Sequence, residues 1–241
     1  APEIAALIVI LTGAGVSAES GLGTFRDVDG LWAKYDLEDV ATPQGFARDP
    51  DLVQRFYNAR RAQAAKAEPN AAHRALARLQ DRWSGEVVIV TQNVDSLHEA
   101  GGATGVLHMH GQLDQALCAV CGHRWAAPPE LLPQHPCPSC AAPSGRPDVV
   151  WFGEIPYHME LIQTHLAEAR IFAAIGTSGQ VYPAAGFVME SAAHGAHTVA
   201  LNLDATPGGV FDETRTGPAT QEVPDWVETL LCRLDKATTG P

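Results

Sequence analysis

The chain has 241 residues, 46% of them apolar and 18% charged, with a net charge of −12. That suits one large domain with a real core, or a domain plus a small insert, and excludes a disordered chain. The acidity argues against a nucleic-acid partner, which needs a basic footprint, and would draw in a lysine-rich protein segment or simply keep the protein dissolved.

No apolar run reaches the roughly 18 to 20 residues that cross a bilayer, and no secretory signal is expected in a chain that starts abruptly at Ala1. A cytoplasmic protein without a membrane partner, and a monomer, is therefore expected. Five cysteines are too few for a disulfide scaffold, and Cys232 is expected to be an ordinary buried thiol in a helix.

In chain order, the first predicted element is a buried strand, Leu7 to Leu11. It runs into Thr12-Gly13-Ala14-Gly15-Val16-Ser17-Ala18, which satisfies G-x-G-x-x-G/A. Such a loop lets backbone approach a pyrophosphate at a helix start, although small residues also make ordinary turns. A dehydrogenase would place a second strand ending in Asp or Glu about 20 residues on. Here Thr24 to Trp32 is polar, glycine-bearing and unlike a strand. A nucleotide held for something other than hydride transfer is the better fit.

A largely helical insert follows, from about Trp32 to Pro69, with its main helix at Asp51 to Lys66. In that helix Tyr57 and Arg60 are three apart and share a face. A phenol beside a guanidinium is suited to a carboxylate, yet from the helix alone a packed tyrosine with an arginine snorkelling past it is the commoner arrangement. Next come a helix at Ala71 to Gln80 and a strand at Val87 to Thr91. At that strand's end, Asn93 and Asp95 are compatible with helix capping as well as with chemistry. His108 and His110 flank Met109, and their spacing alone does not distinguish a metal pair from two unrelated side chains.

Cys118-x2-Cys121, 15 residues, then Cys137-x2-Cys140 is a strong metal signature. Four thiolates fill a tetrahedron and leave no position for water, so one structural Zn2+ is expected. The surrounding stretch, about Cys118 to Arg146, is rich in Cys and Pro and poor in regular pattern. Helices at Tyr157 to Glu168 and Ala184 to His194 alternate with strands at Ile171 to Ile175 and Thr198 to Leu203. A closing amphipathic helix is expected to start at Pro224. Strands alternating with helices predict an α/β fold, a doubly wound parallel sheet covered on both faces.

Several blocks together carry a family resemblance: Gly13 to Gly21 with Thr24-Phe25-Arg26, Thr91 to His98, His110-Gly111, Val149 to Glu154, Gly176-Thr177-Ser178, Asn202-Leu203-Asp204 and Gly217-Pro218-Ala219. In type and order they resemble the sirtuins, NAD-dependent protein deacylases, over essentially the whole chain. The resemblance implies a Rossmann-like NAD-binding domain (residues 1–31, 70–117 and 147–241), a helical insert with acyl-recognition residues (32–69) and a zinc-ribbon module (118–146). It also implies NAD as co-substrate and acylated lysine segments of other proteins as partners. The acyl oxygen attacks the ribose carbon to give an imidate, and a histidine then deprotonates a ribose hydroxyl.

Carried over by resemblance, His110 is that base, acting with Asn93 and Asp95 as catalytic residues. Gln92, Asn93, Val94 and Asp95 surround nicotinamide and ribose. Gly13, Ala14, Gly15, Glu19 and Thr24 belong to the cofactor loop, with Phe25, Arg26 and Trp32, and Phe25 shields the reactive centre. Gly176, Thr177 and Ser178 meet the phosphates and adenosine, while Asn202, Leu203, Asp204 and Ala219 line the adenine side. Val150, Phe152 and Gly153 bind the acyl-lysine. Tyr57 and Arg60 resemble the signature of class III sirtuins, and Ala41 matches a small residue that makes room for a longer acyl chain. Preference for succinyl or malonyl over acetyl is implied. ADP-ribosyl transfer to protein is the main rival activity, and a non-catalytic NAD- or acyl-lysine-binding module is the rival of another class. The chain departs from the family at Gly23, usually proline, at Gly179, and at Asp114-Gln115-Ala116.

Overall fold

The computed structural model describes residues 6–23, 35–205 and 209–238, with side chains as far as residue 234. Six parallel strands form the main sheet: β1 (Ile8–Thr12), β2 (Val87–Thr91), β3 (Leu107–His108), β7 (Ile171–Ile175), β8 (His197–Asn202) and β9 (Glu213–Thr216), in the order β3-β2-β1-β7-β8-β9. Their continuous apolar runs follow from burial on both faces. Ile8, Ile10, Val87, Ile89, Ala173 and Ile175 face one layer, made chiefly by α5 (Ala71–Arg82) and α9 (Ala219–Thr238). The alternate residues Val9, Leu11, Val88, Val90, Phe172 and Ala174 face the other layer, made by α7 (Met159–Glu168) and α8 (Phe187–Ala193). The strand order reverses between β1 and β7, and their carboxyl ends open the crevice where such sheets bind ligands. The doubly wound expectation is met.

The helical insert contains α2 (Leu37–Val40), α3 (Pro43–Arg48) and α4 (Pro50–Ala64). Thr42 and Asp49 cap α3 and α4 through their side-chain oxygens, each with proline in the first turn. Two short helices remain, α1 (Ala14–Ala18) after the glycine loop and α6 (Leu97–Ala100) after Asp95. Among the described residues, no helix is long and apolar enough to cross a membrane.

Three features differ from expectation. The stretch from Cys118 to Arg146 is short of regular structure, as expected, but it is anchored by a second sheet that the pattern did not predict: β4 (Gly111–Cys118), β5 (Arg124–Ala126) and β6 (Gly145–Val149), antiparallel in the order β5-β4-β6. A register shift between Gly111 and Ala116 breaks the period-2 pattern, and Pro147 sits in an edge strand, where proline is tolerated. Pro224 does not open the last helix but lies inside it, since the helix begins at Ala219. The Pro218 carbonyl accepts from Gln221 and Glu222, and Glu19 takes the N–H and hydroxyl of Thr220. Burial of Val223, Trp226, Val227, Leu230 and Leu231 offsets the one helical bond that proline forfeits. Finally, Cys232 is exposed, because those apolar residues claim the opposite side of the helix.

Candidate active site

The glycine loop and the end of β7 meet backbone to backbone at the switch point. The N–H groups of Gly13 and Gly15 donate to the carbonyls of Ile175 and Gly176 at 3.0 and 2.9 Å. A Cβ on Gly13 would lie 2.7 Å from the Gly176 carbonyl oxygen, and one on Gly15 would lie 2.7 Å from the Gly176 Cα. Gly176 has φ +61, and a Cβ there would lie 2.5 Å from the Val16 nitrogen. Only glycines permit this approach, so a cradle for a dinucleotide is built at the sheet's ligand-binding edge. Ala14 begins α1 beside it. Beyond β7, the Thr177 N–H donates to Asn202 Oδ1 at 3.1 Å, and Gln92 Nε2 donates to Thr177 Oγ1 at 3.1 Å. Ser178 accepts from the Gln180 N–H at 3.3 Å. Leu203 and Asp204 follow β8 on the surface, with Leu203 69% exposed, while Ala219 packs partly buried against the core. The Glu19 carboxylate is committed to Thr220. Thr24, Phe25, Arg26 and Trp32 lie outside the described residues.

Under the cradle lies a buried polar network. Asn93 Nδ2 donates to the Gly13 carbonyl at 3.0 Å and to Ser17 Oγ at 3.1 Å. Asp95 Oδ1 accepts the Leu97 N–H at 3.0 Å from the position before Ser96, the N-cap of α6, so the carboxylate steadies the start of that helix without being its cap. Burial raises the Asp95 pKa, against the pull of the Leu97 N–H and the Ser17 hydroxyl.

His110 is half-buried at the start of β4, with Nδ1 3.1 Å from the Gln92 carbonyl oxygen. That oxygen only accepts, so Nδ1 carries the proton and Nε2 presents a lone pair. Burial lowers the His110 pKa below its ordinary 6.5, outweighing the bond to Gln92. Gly111 must follow: φ is +79, and a Cβ would lie 2.1 Å from the Asp148 carbonyl oxygen on β6. His108 does not pair with His110 as metal ligands. It is buried against Glu99, 2.7 Å away, and the Asn93 carbonyl, 3.3 Å away.

Two further histidines are fully buried behind the loop. His98 Nε2 lies 2.9 Å from Thr12 Oγ1, which donates to Thr91 Oγ1 at 2.8 Å. His73 receives the Asn70 N–H on Nδ1 and reaches Ser17 Oγ at 3.5 Å. Their rings are 5.0 Å apart, and burial lowers the pKa values to about 4 for His73 and about 3 for His98. Both are neutral when folded. The unfolded chain therefore binds more protons below pH 6.5, and stability falls as pH drops through that window. Between pH 7 and 5 we expect a loss of about 2 kcal/mol per histidine. Urea midpoints at the two pH values measure it. An unchanged midpoint contradicts burial of the pair in neutral form.

Two of the acyl-recognition candidates, Ala41 and Tyr57, lie in one apolar cluster with Val40, Phe56, Val149 and Trp151. The Phe152 N–H donates to the Ala41 carbonyl at 2.9 Å, and the Val150 N–H to the His110 carbonyl at 2.8 Å. These bonds tie the loop after β6 to both the insert and His110. Phe152 is 51% exposed, and Gly153 next to it is also at the surface. Val94 packs against the same cluster from the β2 side. Arg60 lies over the Phe56 and Tyr57 rings, 5.8 and 5.9 Å from their centres. Burial raises the Tyr57 pKa, with Arg60 opposing, and burial lowers that of Arg60, with Tyr57 and Asp95 opposing. Arg61, next in sequence, is structural: it donates to the Leu113 carbonyl and to Asn58, each at 2.7 Å.

At the far end of the small sheet, the sulfurs of Cys118, Cys121, Cys137 and Cys140 lie within 4.8 Å of one another. Two pairs, Cys118–Cys140 and Cys121–Cys137, are 3.7 Å apart. A tetrahedral site with Zn–S of about 2.3 Å has edges of about 3.8 Å, so the donor set fits structural zinc. The N–H groups of Cys121 and Ser139 point at the sulfurs of Cys118 and Cys137, at 3.4 Å each, as thiolates require.

The sequence pattern of the Sir2 family matches residues 13–183, which contain the glycine loop, the histidine and all four zinc ligands. The chain belongs to the Sir2 family. It is 57% identical over 232 residues to an NAD-dependent protein deacylase of Caulobacter vibrioides, covering 94% of this chain and 98% of that protein. A Sir2 homologue solved in complex with NAD superimposes with TM-score 0.87 at 36% identity, over 95% of this chain and 90% of that one. A Sir2 protein with a deacetylated peptide and 3′-O-acetyl ADP ribose gives TM-score 0.77 at 26% identity, over 94% and 93%. In this Sir2 chain the structure adds residues that sequence reasoning left unassigned: Ser17, His73 and His98 beneath the cradle, and Arg146 and Trp151 behind Tyr57. Their partners are mostly distant in sequence, and no local pattern signals such pairs.

Proposed function

We propose that this chain is an NAD-dependent protein-lysine deacylase that prefers succinyl and malonyl groups to acetyl, yielding nicotinamide, free lysine and O-acyl-ADP-ribose. One observation carries the acidic preference. Tyr57 and Arg60 stand together on α4, Tyr57 in the cluster that also holds Ala41 and Trp151 and the Arg60 guanidinium 5.9 Å from its ring centre, and a phenol O–H and a guanidinium together match a carboxylate. Deacylation itself is supported by the family membership, by the name of the close relative and by the Nε2 lone pair of His110.

NAD serves as the co-substrate whose ribose carbon receives the acyl oxygen. Gly13, Gly15 and Gly176 bring backbone to its phosphates, and Thr177, Ser178, Asn202, Leu203, Asp204 and Ala219 hold the adenosine half. Gln92, Asn93, Val94 and Asp95 face the nicotinamide ribose. His110 takes the proton from a ribose hydroxyl at Nε2. Val150, Phe152 and Gly153 hold the acyl-lysine segment, which the acidic surface favours.

Removing a charge-assisted bond is expected to cost about a hundredfold in kcat/KM. Arg60→Met should therefore lower desuccinylation by about that factor and deacetylation by less than about fivefold. Matched succinyl and acetyl peptides measure it. Equal losses on both would contradict the acidic-acyl assignment.

A further inference from the structure

Trp151 Nε1 donates to the Tyr57 hydroxyl oxygen at 3.0 Å, and both side chains are only 3% exposed. An indole N–H donates and never accepts, so Tyr57 cannot return its own proton to Trp151. Among the described residues, no acceptor is hydrogen-bonded to that phenol O–H. The hydroxyl is thus aligned as a donor, and the bond it receives strengthens the bond it gives.

The indole is itself held from several sides. The Arg146 guanidinium lies over its ring, 3.5 Å from the centre, and the Phe46 ring is 5.2 Å away. Arg146 grips Glu154 with two bonds of 2.6 and 2.9 Å, and Glu154 Oε2 also takes the Trp151 backbone N–H at 2.9 Å. Arg146 further donates to the Val149 carbonyl at 2.8 Å. Backbone, ring face and ring edge are all fixed, so the indole N–H has one direction in which to point.

We propose that Trp151 is a specificity-positioning residue, whose indole N–H turns the Tyr57 hydroxyl into a directed donor for an acidic acyl group. The proposal rests on the acidic-acyl reading above. An acetyl group ends in a methyl and has nothing for this donor to meet, whereas a succinyl or malonyl group brings a carboxylate. Arg146 and Glu154 act one step further back, by holding the indole.

The test uses the full chain with matched succinyl- and acetyl-lysine peptides at saturating NAD. Two replacements at position 151 remove the N–H: Trp151→Phe, and benzothienylalanine, which keeps the indole shape and guards against a folding defect. The succinyl-to-acetyl ratio of kcat/KM is expected to fall about tenfold in each. In a Tyr57→Phe background the same replacements should move the ratio by less than about twofold, because the bond they remove is already gone. A ratio that stays constant when Trp151 is replaced, yet falls in Tyr57→Phe, overturns the proposal and leaves the acidic-acyl reading standing. Equal losses on both peptides also overturn it, since Trp151 then only packs. No succinyl preference in the parent chain, or none lost in Tyr57→Phe and Arg60→Met, overturns the acidic-acyl reading and this proposal with it.

Discussion

Replacing His110 with alanine is expected to lower kcat/KM for an acyl-lysine peptide by about a thousandfold, within the range that a positioned general base supplies. The Gln92 carbonyl fixes the tautomer, leaving Nε2 free to accept a proton, and burial holds the pKa below 6.5. A base works in its neutral form, so activity is present above that pKa and is lost as pH falls through it. The acid limb of the kcat/KM profile should have its midpoint below 6.5 in the parent chain and should vanish in His110→Ala. Steady-state kinetics across pH measure both. Full activity in the variant would remove His110 from the chemistry. His108 is a useful contrast, since its two ring nitrogens are already engaged by Glu99 and Asn93.

Stripping the zinc is expected to do comparable damage from the far end of the same strands. Around the four cysteines the buried apolar side chains are few, chiefly Leu131 and Ala116. A segment so poor in core takes its folding energy from the metal, on the order of 10 kcal/mol or more. β4 starts immediately after His110 and ends at Cys118, while β6 runs from Gly145 to the residue before Val150. Loosening the sulfur end therefore releases the pair of strands that hold His110, the proposed base, and the loop from Val150 to Gly153, proposed to bind the acyl-lysine. We expect metal analysis to find one zinc per chain. A chelator should abolish deacylation together with the protease resistance of residues 118–146. Protein that is active, folded and free of zinc would refute the structural role.

Much of this was legible in the residues. Runs such as Val87 to Thr91 are apolar at every position because both sheet faces are covered, and the four main strands fall within one residue of their expected bounds. The cysteine spacing specified its own geometry. The glycine loop was visible too, but its reason was not: Gly13 and Gly15 are small because Gly176, more than 160 residues away, packs against them. The small antiparallel sheet is not visible in the sequence because a register shift hides its alternation and few apolar side chains mark it, the four sulfurs lying together at its end instead. Pro224 carries the residue signal of a helix start, but Pro218 and Glu19 provide the actual one five residues earlier. Trp151 beside Tyr57 and His98 beside His73 join elements that only the tertiary fold brings together.

The central claim is that NAD is consumed in transferring an acyl group from lysine to ADP-ribose. Mass spectrometry of one reaction, containing the full chain, NAD and a succinyl-lysine peptide, tests it most directly. We expect nicotinamide, unmodified lysine peptide and O-succinyl-ADP-ribose in equal amounts, formed faster than the corresponding products from an acetyl peptide. Nicotinamide released with ADP-ribose attached to protein, and the succinyl group still on its lysine, would contradict it.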